Sequence, residues 1–417
     1  MNNDWSPTTD TQCVLKWAWS TVQLFNGART KSCFKNPAIS LTPSTIQNFH
    51  NIDQIINDRK EMLAGRWPTG CYVCKQVEDL GSTSDRHLHN KFQHLVPQEL
   101  KNNPNIVEIK PTVLEVYFRN TCNMSCIYCS PRLSSKFMSE LNKYGEFDND
   151  GVVIKKSNYN EDNYSEILSH FWKNLVEILP TLKELNILGG EPFLIDELNQ
   201  LIDFIDQNPS KDLDLTVVSN INIPHEKFVN DVNRLQQLQD SGKLKSVKIN
   251  ASIDGWDKSI EFQRYGLSLD LFEKNFLYLL NNTSLKLCIN FTATCISIPS
   301  MPELMKKWAE WNNIREVDLS GARVETHERS QDYLDLDTLP SHFLIPFLSK
   351  SIEYIDSIQH HTWQRERIEN LKTYIEKTNS SGNEIKLKKL KIFIEEISKR
   401  RNIQWIDYYP WLESHFK

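Results

Sequence analysis

The residues with the most chemistry in this chain are Cys122-Asn-Met-Ser-Cys126-Ile-Tyr-Cys129, three thiols within eight residues. Such spacing wraps one metal centre, and sulfur donors select zinc or an iron-sulfur cluster. Three ligands rather than four leave one position open, which separates a reactive site from a sealed structural one. The alternative is a structural zinc whose fourth ligand lies elsewhere. A second set, Cys13, Cys33, Cys71 and Cys74, supplies four thiols, enough for a tetrahedral zinc or a [4Fe-4S] cluster, and its spacing does not choose between them. Gly189-Gly190-Glu191-Pro192 joins two residues that permit close backbone approach to a ligand with a carboxylate able to bind an ammonium group. Alone, it would read as a tight turn.

These groups need a scaffold. From Thr112 onward, β-branched runs (VLEVYF, LKELNIL, DLTVVSN, SVKINASID, LKLCINFTATC, REVDLSG) alternate with amphipathic helical stretches, the pattern of parallel β/α units. The triplet directly follows the first run and GGEP ends the second, at the strand ends where α/β proteins place their chemistry. Lys248, Asn250, Ser252 and Asp254 share one strand face, and Cys288, Asn290, Thr292 and Thr294 share another, so polar residues line an interior. The fold class expected is α/β, a partial (β/α)6 TIM-like barrel over residues 109–330. A small cysteine-rich module of residues 1–108 precedes it, with a helix predicted from Ile52 to Leu63, and a helical region of residues 331–417 follows. The polar stretch YGEFDNDGVVIKKSNYNEDNYSE reads as an insertion over one end of the sheet. The mixed-charge segment NEIKLKKLKIFIEEISKRR reads as a solvated amphipathic helix.

Composition narrows the partners. The 417 residues carry 48 Lys and Arg against 54 Asp and Glu, a net charge of -6 that argues against nucleic acid. No apolar run approaches the ~18 residues of a membrane span, and the start has neither a basic nor an apolar signal region, so a cytoplasmic location is expected. Nine cysteines, an odd number, then point to metal or redox work rather than disulfides.

The triplet together with GGEP resembles the radical S-adenosylmethionine (SAM) superfamily, over roughly residues 112–325. The resemblance implies that Cys122, Cys126 and Cys129 hold a [4Fe-4S] cluster whose fourth iron is chelated by SAM, with Tyr128 on the adenine and Gly189, Gly190, Glu191 and Pro192 at the methionine amino group. Ser219 and Asn220 close the third strand. In SIDGWDKSIEFQRYG, Ser252 and Asp254 would bond ribose hydroxyls and Arg264 would fork onto the SAM carboxylate; each alone also reads as a cap or turn residue. Cys288 faces inward, as a hydrogen-atom donor or a small buried hydrophobe, while Cys295 reads as outward packing. CVLKWAW, GARTKSC and RWPTGCYVCKQVEDLGSTSDR are similar to the auxiliary-cluster modules called SPASM or twitch domains, here ahead of the barrel rather than behind it. They imply a second [4Fe-4S] cluster on the first four cysteines, with zinc as the alternative. The closing SKRRNIQWIDYYPWLESHF resembles the tail of twitch-type members but carries no cysteine. The function implied is oxidation of a peptide or small molecule, with a flavodoxin or ferredoxin as external reductant. Two alternatives stay open: a redox-neutral epimerase or isomerase, and a non-catalytic zinc-stabilised interaction protein.

Overall fold

The computed structural model describes residues 4–157, 162–323, 329–358, 362–378 and 381–417. Its strands are β1 (Trp19–Gln23), β2 (Arg29–Lys31), β3 (Ile39–Ser40), β4 (Val113–Tyr117), β5 (Ser125–Cys126), β6 (Phe147–Asn149), β7 (Val152–Ile154), β8 (Glu184–Leu188), β9 (Ser210–Ser219), β10 (Leu244–Ser252), β11 (Arg264–Tyr265), β12 (Lys286–Ala293) and β13 (Asp318–Arg323). All six β-branched runs form strands. They lie side by side, parallel, in the order β13-β12-β10-β9-β8-β4, and β1-β2-β3 continue the same sheet. β1 pairs parallel with β4, and β2 and β3 follow antiparallel.

The strand parity read from the sequence holds across the sheet. Leu185, Ile187, Val217, Ile249 and Ile289 are buried on one face under the connecting helices. On the other face, register aligns Lys31, Thr21, Glu115, Asn186, Thr216 and Lys248 as one polar row. The helices Asp196–Gln207 and His225–Asp240 show the cause. Each buries one apolar stripe, for example Leu198, Leu201, Ile202 and Ile205, against the sheet. Full burial of one such side chain stabilises by about 1.5–3 kcal/mol.

The first hundred residues have a small core of their own around Trp17, Leu15, Met62 and Leu100. The helix Asp53–Leu63 matches the predicted one. Its buried Arg59 donates to the carbonyls of Lys16, His50 and Val107, and His50 bonds the Ser20 hydroxyl on β1. That network ties the N-terminal segment to β1 of the sheet.

The expected insertion forms a β6–β7 hairpin, whose Phe147 and Ile154 pack on Phe137 and Leu141; its positions 158–161 fall outside the described residues. The C-terminal region is helical as read: Ser341–Asp356, Thr362–Thr378 and Glu384–Arg401. The last helix departs from the expectation of a solvated surface helix. Leu390, Phe393, Ile394 and Ile397 are buried, and so are Arg400 and Arg401 in its final turn. Its basic end is held by Glu396 and, in contacts no local pattern reveals, by Glu140 and the carbonyls of Gly145 and Ser125, the last in the cysteine loop. No helix among the described residues is long and apolar enough to cross a membrane.

Candidate metal and cofactor site

The triplet occupies the loop leaving β4. Cys126 lies on the short β5, which pairs antiparallel with β11 so that Cys126 sits opposite Arg264. The Ser134 hydroxyl caps the next helix at Phe137 N and donates to the Met124 carbonyl, while Ser135 Oγ accepts from Cys122 N at 3.0 Å. Asn123 is tied to the end of β9: its amide donates to the Asn222 carbonyl at 2.7 Å and its oxygen accepts from Asn220 at 2.9 Å. Burial pushes the Cys122 thiol up to about 12, and the adjacent Cys126 adds to it. Cys129 is raised by burial and then by both other thiols, so the three are electrostatic neighbours. Three cations surround them: Arg264 and Arg401 act on Cys126, and Lys136 interacts with Cys122 and Cys126.

The two glycines of GGEP allow a close approach, and the neighbour is the cysteine loop itself. Gly189 has φ +131°, and a Cβ there would lie 2.7 Å from the Arg119 carbonyl oxygen; one on Gly190 would lie 2.2 Å from that of Thr121. Both backbones are bonded instead, Gly190 N to Arg119 O at 3.1 Å and Glu191 N to Thr121 O at 2.7 Å. The Glu191 carboxylate turns inward. It accepts from Ser219 Oγ and Asn220 N at 2.7 Å and from Phe193 N at 3.1 Å. A carboxylate 1% exposed must find such donors inside the protein. Burial pushes it up to about 7 against those three bonds. Pro192 opens the following 3-10 turn and is buried.

Asp254 and Arg264 also find each other. Arg264 Nε and Nη2 donate to the two Asp254 oxygens at 2.8 Å each, and both residues are buried. Asp254 further accepts from Gln263 Nε2 at 2.8 Å, Thr292 N at 2.8 Å and the Tyr128 hydroxyl at 2.9 Å. Burial opposes the Arg264 charge, but Asp254 outweighs it and raises its pKa. The pair thus forms an internal bidentate bridge, as buried charges require. The Arg264 guanidinium lies 5.5 Å from the Tyr128 ring centroid. Ser252 stays on the half-buried polar face, beside Asn290 in register.

Sequence reading missed Arg401. Its Nη2 donates to the Ser125 carbonyl at 2.8 Å and its Nε to Glu140 at 3.1 Å, with the guanidinium 4.5 Å from the Tyr265 ring centroid. Asn402 ends the helix directly after it in a left-handed conformation (φ 52°), its N–H bonded to the Lys399 and Ser398 carbonyls. The signal available was the basic last turn, which reads as a macrodipole complement and names no partner.

The four early cysteines share one lining. Cys13, Cys33, Cys71 and Cys74 line one cavity of about 20 Å³ together with Lys16, Lys35 and Arg86. Burial raises the Cys13 thiol, with the other three adding to it, and pushes Cys71 up to about 11. Both cysteine sets therefore gather sulfur donors within cationic surroundings, the chemistry that a thiolate-ligated group of net negative charge fits. Among the described residues no three Cys, His, Asp or Glu side chains close on a single point as ligands of one ion do. Cys288 is buried on β12, in register with Asn250 and Asp318, and burial pushes it up to about 12. In the sheet order β12 is four strands from β4. Cys295 is buried in the main core.

No protein-family model matches the chain, and no curated protein matches it. A solved structure described as "tagged anSMEcpe with bound AdoMet" aligns at 15% identity and a TM-score of 0.37. The alignment covers 59% of this chain and 57% of that one, a little over half its length, and at this TM-score it carries no argument.

Proposed function

We propose that this chain is a radical SAM enzyme. One observation carries the reading: Cys122, Cys126 and Cys129 are gathered at the end of a parallel strand, and their loop is hydrogen-bonded to the Gly189–Pro192 turn of the adjacent strand. On this reading the three thiols hold a [4Fe-4S] cluster, and Arg264, Arg401 and Lys136 offset its negative charge. With SAM bound, the cluster would supply the electron that releases methionine and a 5′-deoxyadenosyl radical, which takes a hydrogen atom from the substrate. Tyr128 is held by Asp254, so its ring has one orientation for an adenine to stack on. The β10 and β12 face beyond it, Ser252 and Asn290, offers hydroxyl and amide partners for the rest of the nucleoside. The Asp254–Arg264 bridge acts as a positioning pair, fixing β11 against β5.

The four N-terminal thiols are read as an auxiliary [4Fe-4S] cluster of the twitch or SPASM type. Four protein ligands leave no iron open, which suits electron transfer and therefore net oxidation of a peptide or small molecule. The parallel strands β4 to β13 are read as the partial (β/α)6 barrel of that superfamily.

The test is anaerobic reconstitution with iron and sulfide, followed by assay of 5′-deoxyadenosine with SAM and dithionite. Wild-type protein should form it, and C122A/C126A/C129A should not. Equal formation by the triple variant would remove the proposal.

A further inference from the structure

A cavity of about 640 Å³, within the usual range for small-molecule sites, opens between the triplet loop and the β1–β2 edge. Tyr128 and Cys129 line it together with the charged residues Arg29, Lys31, Arg132 and Glu115 and with neutral ones such as Phe34 and Tyr117. The cations are placed there by strand parity. Arg29 and Lys31 alternate on β2 and pair with Gln23 and Thr21 of β1, which continue the polar sheet face. Arg132 follows the last cysteine of the triplet by three residues and donates to Gln23 Oε1 at 2.7 Å.

Among the described residues that line it, three cations face one carboxylate, a positive lining in a protein whose net charge is -6. The carboxylate is a weak counterweight. Glu115 already accepts from the Thr21 hydroxyl at 2.7 Å, and burial raises its pKa.

We propose that this cavity binds the substrate, and that the substrate is a small molecule carrying a phosphate or carboxylate group held by Arg29 and Lys31. The proposal rests on the function above in one respect: Cys129 and Tyr128 then bring the radical chemistry to the cavity wall. Charge-assisted hydrogen bonds from a half-buried guanidinium and ammonium are roughly twice as strong as neutral ones, enough to select an anion over its amide.

Phenyl phosphate, benzoate and neutral benzamide are suitable probes, matched in their ring and differing in charge. Their binding to the full-length protein is measured by saturation-transfer NMR and calorimetry. At least one anion should bind tenfold or more tighter than benzamide, and phenyl phosphate against benzoate assigns the group. R29Q/K31Q should remove that preference, while the charge-conserving R29K/K31R should keep it within about threefold, which separates lost charge from lost structure. No preference in the wild type, or an unchanged preference in R29Q/K31Q, overturns the anion site. SAM cleavage is assayed on the same wild-type preparation. Anion preference without cleavage leaves this site standing and overturns the radical SAM reading; cleavage without anion preference does the reverse.

Discussion

Replacing Asp254 by Asn tests whether the buried bridge holds the cysteine loop. The carboxylate receives five donors: two from Arg264, and one each from Gln263, Thr292 and Tyr128. Asn keeps one oxygen and turns an N–H₂ toward donors, leaving a guanidinium that is 5% exposed without its counter-charge. Breaking one side of a buried pair costs about 3–5 kcal/mol. At about 2.1 cal/mol/K per residue, a chain this long melting as one unit should lose roughly 3–6 °C. Thermal denaturation followed by circular dichroism reads it directly. R264M and the double variant D254N/R264M complete the cycle, and the double variant should be less destabilised than the two singles combined, by about 1 kcal/mol or more. A D254N midpoint within 1 °C of wild type, together with additive variants, would show that the bridge does not secure β11 against β5.

Three further outcomes follow from the same geometry. G190A, whose Cβ would lie 2.2 Å from the Thr121 oxygen, should displace the triplet loop and lower both the melting midpoint and the iron bound on reconstitution; unchanged iron would separate this turn from the metal site. Wild-type protein should bind about eight irons, and the variant lacking Cys13, Cys33, Cys71 and Cys74 about half of that by iron analysis; equal iron, with zinc lost, would make the N-terminal site structural. Glu191, raised to about 7 from an ordinary value near 4.5, holds a proton in the folded state that the unfolded chain has already released between those pH values. Its contribution is therefore fully present below about pH 4.5 and falls as pH rises to about 7, so wild type should lose about 2–3 kcal/mol relative to E191Q between pH 5 and 8 in urea unfolding. Parallel pH profiles would refute that carboxyl's burial as the cause.

The sequence alone determined the strands and the metal-capable residues, since period-two alternation and cysteine spacing are local properties that survive whatever packs against them. SVKINASID became β10 with Asn250 and Ser252 on the polar face, and VLEVYF became β4 with the triplet directly after it. What only the tertiary structure decided is which buried polar group partners which. Nothing local in the sequence names the internal partners of Asp254, Arg264 and Glu191; each is buried, and a buried charge requires a complementary group that folding supplies. Arg401 and Ser125 are 276 residues apart in sequence, and no periodicity within one helix can name a carbonyl that far away. The basic cavity follows the same rule. Arg29 and Lys31 occupy a strand of three residues, too short to show a pattern, and they meet Cys129 only because β2 joins the sheet beyond β1.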